Sequence, residues 1–172
     1  MELFKEALKR LESSKEFKEW KKKHKGCYLS SGFVIVEKEQ SPWKTGYYDE
    51  KKNKVTSFSI GEKIEIEKEE EIFQKEKKKI IELDKDKMLV GLTEAIVTAN
   101  NLQQKKYKGD DPMKIIAVLQ NLEKGQVWNL IMITQKFNTL NIQIDTENGK
   151  IIEEKITSIM EFRKKEMKDT NN

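Results

Sequence analysis

Three sets of residues in this chain have the types and spacing that chemistry could use. The first is His24 and Cys27, the single histidine and the single cysteine among 172 residues. A thiol beside an imidazole suggests a nucleophile and its base, but such a pair needs a third group to orient the base. No second His or Cys and no suitably placed acid accompanies them. His24 therefore reads as a residue at the edge of the core, and Cys27, at the start of a strand, as a small core residue. One cysteine also excludes an intrachain disulfide and a cysteine-based metal site.

The second set lies in "IDTENGKI", where Asp145, Glu147 and Asn148 bring oxygen donors close together. A calcium loop of the EF-hand kind needs oxygen ligands at positions one, three and five, glycine at six and glutamate at twelve. Counting from Asp145, glycine falls at five, Lys150 at six and Ile156 at twelve, so the pattern fails. A hairpin fits better. Asp145 can accept hydrogen bonds from turn amides, and Asn148-Gly149 supplies the left-handed conformations that a reversal needs. "YYDEKKNKVTSFSI" carries a weaker copy: Asp49 matches Asp145, and Asn53 stands in for Gly149 as the next most tolerant residue. Both copies read as architecture.

The third set is "KKKHK". Residues 1–25 hold nine Lys/Arg against five Asp/Glu, which accounts for the whole net charge of +4. Lys21, Lys22, Lys23 and Lys25 form a candidate basic patch for nucleic acid. A short run of this kind on a helix end is more often a solvated tip that complements the helix dipole.

Other chemistry is missing. The eight glycines are dispersed and form no phosphate-binding loop. Carboxylates are plentiful but interleaved with lysines, as on solvated faces. The sequence thus points to a non-enzyme with no cofactor and no metal. Aromatic side chains are the better candidates for contact. Trp43, Tyr47 and Tyr48 cluster on one strand, where alternation would bury one tyrosine and expose the other.

The elements that must position these residues follow from periodicity. Leu3, Phe4, Ala7, Leu8 and Leu11 mark a first helix, and Ser13 with Glu16 forms a capping box for a second, ended by Gly26. "CYLSSGFVIVE", "PWKTGYY" and "KVTSFSI" read as strands, with "EKIEIEKEEEIF" as a charged edge strand. Residues 62–87 are then dominated by charge. Met88 to about Tyr107 reads as a helix. "GDDPMKIIAVLQNLEKG" reads as a further helix, with Asp111 as N-cap, Pro112 at the first position and Gly125 as stop. "QVWNLIMIT", "TLNIQID" and "KIIEEKI" follow as strands.

"VWNLIMIT" and "LNIQIDTENGKIIEEK", behind a helix beginning near "LTEAIVTANNL", resemble the PepSY and PepSY-like domains. The resemblance covers about Met88 to Phe162, and more faintly Leu3 to Ile66. It implies a cystatin-like sheet packed on helices, no catalytic residues, and a role in binding or regulation.

The expected fold is α+β, with two tandem helix-helix-β-β-β repeats whose antiparallel sheets pack against helices. Residues 1–66 are the first repeat, 67–87 a connector or edge hairpin, 88–162 the second repeat and 163–172 a charged tail. No secretory signal or membrane-length apolar run is visible, which leads to the expectation of a cytoplasmic protein with no membrane partner. The expected function is a small binding or regulatory module that recognises a protein or peptide through a sheet face or edge strand. The alternative is nucleic-acid binding through Lys21–Lys25. Partner identity and oligomeric state are not legible in the sequence.

Overall fold

The structure is a computed structural model that describes residues 2–71 and 79–158. Its elements are α1 (Phe4–Ser13), α2 (Lys15–Lys23), β1 (Tyr28–Val36), β2 (Trp43–Asp49), β3 (Lys54–Ile60), β4 (Ile64–Ile66), β5 (Glu70–Glu71), α3 (Leu92–Lys106), β6 (Pro112–Leu122), β7 (Gly125–Thr134), β8 (Asn138–Asp145) and β9 (Ile151–Ser158). All nine strands belong to one antiparallel sheet in the order β4-β3-β2-β1-β6-β7-β8-β9, with β5 also pairing β3.

That arrangement overturns the expected α+β fold of two tandem helix-helix-β-β-β repeats. The described parts of the two expected repeats, residues 2–66 and 88–158, contribute to a single sheet-dominated fold, joined where β1 pairs β6 from Ser31↔Gln120 to Val36↔Ile115. The segment from Pro112 to Leu122, expected as a helix, is the long strand β6. Its buried residues are Ile115, Ala117 and Leu119, every second position, and Ile115, Ile116 and Val118 are β-branched. Hydrogen bonding to β1 on one side and β7 on the other outweighs the helix-start signal of Asp111-Pro112. Glu123-Lys124 then forms a tight hairpin into Gly125. Of the connector expected at 67–87, residues 72–78 lie outside the described residues, as does the charged tail at 163–172.

The core lies on one face of the sheet. Phe4, Ala7, Leu8 and Leu11 of α1, Phe17 and Trp20 of α2, and Leu92, Ala95 and Ala99 of α3 join Trp43, Tyr47, Phe58, Ile115, Ala117, Trp128, Leu130, Leu140 and Ile142 in one cluster. Gly32 lies directly under α1: a Cβ there would come within 2.6 Å of the Phe4 ring. The two central tryptophans hold the helix starts. Trp43 Nε1 donates to the carbonyl of Glu2, just before α1, at 3.0 Å. Trp128 Nε1 donates to the carbonyl of Val90, just before α3, at 2.9 Å. The two indoles lie 6.1 Å apart, with Phe4 against both.

Capping follows local chemistry. Glu6 and Glu94 reach back to the amides of Leu3 and Gly91 at 3.2 and 3.0 Å, satisfying a donor that the helix leaves open. At α2 the cap is Ser14, whose Oγ accepts from the Phe17 amide, rather than the expected Ser13, which ends α1.

Candidate functional site

Strand alternation places a second set of side chains on the opposite face of the sheet, where no described helix packs. The registers Phe33↔Val118 and Ile35↔Ile116 join β1 to β6, and Ile116↔Ile131 and Lys114↔Ile133 join β6 to β7. Phe33, Ile35, Ile116, Val118, Ile131 and Ile133 therefore form one apolar patch across three neighbouring central strands, and each is partly exposed. Isolated apolar residues on a surface need no explanation, but a contiguous patch is a candidate contact surface. Toward β8 the face becomes an amide surface: Asn129 pairs with Gln143, and Asn141 with Ile131. The side-chain carbonyl oxygens of Asn129 and Asn141 are buried and accept no hydrogen bond among the described residues. A buried acceptor left in this way costs about 1–3 kcal/mol.

The expected contact aromatics do not face outward. Trp43, Tyr47 and Tyr48 are only 0%, 3% and 8% exposed. Trp43 and Tyr47 sit in the helix-covered core, Tyr47 against Phe17, Trp20 and Phe58. Tyr48 does lie on the other face, as alternation requires, but the Tyr28 ring packs edge-on against it at 5.6 Å and its hydroxyl donates to Asn53 Oδ1 at 2.9 Å. These rings are structural. Burial, with Glu12 beside the hydroxyl, pushes the Tyr47 phenol far above its ordinary value.

The basic run is split by its surroundings. Lys21 Nζ donates to the Cys27 carbonyl and lies 5.9 Å above the Tyr47 ring, while Lys22, Lys23 and Lys25 are exposed. His24 stacks on Trp20, its Nδ1 lies 2.8 Å from the Trp20 carbonyl, and its Nε2 lies 3.5 Å from Glu69. Both ring nitrogens thus face groups other than Cys27. Burial raises the pKa of the Cys27 thiol, the reverse of what a nucleophile needs.

The two Asp turns have the same construction. Asp49 Oδ1 accepts from the amides of Lys51 and Lys52 at 3.0 and 3.2 Å. Asp145 Oδ1 accepts from those of Glu147 and Asn148 at 2.7 and 3.3 Å. Asn53 and Gly149 follow with φ of +53° and +72°. Asn148 Oδ1 closes the second turn on the Lys150 amide at 2.9 Å. No group of three potential metal ligands occurs among the described residues.

None of the six patch residues is among the contact residues expected from the sequence, which cluster on β2. A signal for them was present: "FVIV", "IIAVL" and "LIMI" are unbroken apolar runs, the mark of strands that are apolar on both faces.

No family model matches the chain and no curated protein matches it. A solved structure does: a putative lipoprotein from Clostridium difficile 630, with a TM-score of 0.55 and 13% identity, over 83% of this chain and 90% of that one. At that identity the likeness shows the fold alone. It is a likeness of sheet-rich folds and lends no support to the PepSY-like, tandem-repeat or cytoplasmic expectations. Among the described residues no helix is long and apolar enough to cross a membrane.

Proposed function

We propose that this chain is a non-catalytic binding module that takes a protein partner on the helix-free face of its sheet. The patch of Phe33, Ile35, Ile116, Val118, Ile131 and Ile133 carries the reading. Its chemistry specifies an amphipathic segment, with an apolar stripe for the three central strands and a polar flank toward Asn129, Asn141 and Gln143. A catalytic role has no support, since His24 and Cys27 are each committed elsewhere.

The test is gentle isolation of the chain from its native cell with cross-linking, followed by mapping of the linked residues. Links that cluster around β1, β6 and β7, and are lost in a folded Val118→Glu/Ile131→Glu variant, support the reading. A partner retained by that variant overturns it, as does the absence of any partner. Binding to nucleic acid that weakens steeply with salt would instead favour the exposed lysines at 22, 23 and 25.

A further inference from the structure

The sheet ends in two different edges, and one of them matches itself. β9 spans eight residues and, among the described residues, pairs only with β8. Such an edge offers a row of unpaired amides and carbonyls to any strand that fits. Its sequence is "IIEEKITS", with Ile151 and Ile156 each 37% exposed.

We infer that β9 pairs antiparallel with β9 of a second copy of this chain, centred on Glu154, to form a two-fold dimer with a continuous sheet. A two-fold axis perpendicular to the sheet keeps the faces aligned, so directly opposed residues must share a face and the axis must pass through a residue. Three central registers satisfy that condition. Centring on Glu153 sets Ile152 against Glu154. Centring on Lys155 sets Lys155 against itself and Glu154 against Ile156. Centring on Glu154 sets Glu153 against Lys155 of the second copy on the helix-free face, twice over. Ile152, skipped where the pairing with β8 passes from Glu153 to Ile151, lies at an irregularity of the strand, so the two Glu153–Lys155 pairs carry the choice of register. Opposite charges placed directly across a ladder are a stabilising combination.

The remaining pair, Glu154 against itself, is already compensated. The Glu154 carboxylate accepts from Lys106 Nζ and from the Tyr107 hydroxyl within its own chain. Each copy therefore brings its own cation to the axis. Edge charges ordinarily discourage pairing; here their order selects one register and one partner.

Sedimentation of the purified full chain over a range of concentrations tests this without any other partner, so its outcome is separate from that of the helix-free face. The expected result is a concentration-dependent dimer. Lys155→Glu, at an exposed position, sets like charges across the axis and should weaken association roughly tenfold or more. Adding Glu153→Lys to it should restore the dimer. Glu154→Cys should oxidise readily to a linked dimer, because directly opposed Cα atoms lie about 4.5–5.5 Å apart. Thr157→Cys, which faces Ile151 in this register, should not. A monomer at every concentration overturns the proposal. So does a dimer indifferent to the charge reversals, or equal linking at 154 and 157.

Discussion

The β4–β5 edge and the β9 edge close the same sheet in opposite ways. At the first, the outer strands are three and two residues long and carry Glu65, Glu70 and Glu71. Glu67 is paired to Lys44, and Glu69 lies near both Lys52 and His24. Among the described residues, nothing of useful length remains there for another strand to join. At the second, a full eight-residue strand is unpaired on its outer side among the described residues, with Glu153, Glu154 and Lys155 set between isoleucines. Edge protection is therefore a local decision, made by strand length and charge order rather than by the fold as a whole.

The largest effects should show that the edges differ in surface and not in support. Phe58 on β3 and Ile142 on β8 are both fully buried, one strand in from each edge. Phe58→Ala should cost about 3–5 kcal/mol and Ile142→Ala about 2–5 kcal/mol in urea denaturation. A loss below 1 kcal/mol at either position would mean that one edge lies on a loose core.

Smaller effects belong to the hairpins that lead to each edge. Asp49→Ala and Asp145→Ala each remove an acceptor from two turn amides and should each cost about 1 kcal/mol. Unequal losses would break the equivalence of the turns. Gly149→Ala, at φ +72°, should cost about 1 kcal/mol, and Asn53→Gly, which suits φ +53° but removes the acceptor of the Tyr48 hydroxyl, should also cost about 1 kcal/mol.

The last contrast is confined to alkaline solution. Tyr47, near the first edge, has its phenol raised from an unfolded value of 10.0 by burial and by Glu12. A phenol raised on folding releases its proton more easily in the unfolded chain. Stability is thus intact below about pH 10 and falls as pH rises above it. Tyr107, near β9, is raised in the same direction by burial and Glu154. Thermal melts between pH 8 and 11 should flatten more for Tyr47→Phe than for Tyr107→Phe, since Tyr47 lies deeper in the protein.

Local chemistry made much of the fold legible. Leu3 to Leu11 and the run from Met88 gave the helices, and Cys27 to Ile60 the strands β1 to β3. The Asp49 and Asp145 segments carried their turn geometry openly, because an Asp acceptor and a left-handed residue four positions later suffice to specify it. β6 was misread because Asp111, Pro112 and Gly125 are helix punctuation at helix spacing. Only pairing with β1, some 80 residues earlier in the chain, decides against that reading. The same long-range pairing fuses the expected repeats, and no local pattern announces it. The helix-free patch was hidden for a related reason: periodicity finds an apolar face, but not which of two apolar faces the helices will cover.

The contact between Trp43 and Trp128 reaches across the seam where β1 meets β6. Neither half of the sequence can therefore complete its interior alone, and a polypeptide severed between Glu71 and Lys79 should yield complementing fragments that acquire order only on meeting. Blue-shifted indole emission on mixing would report the reunion.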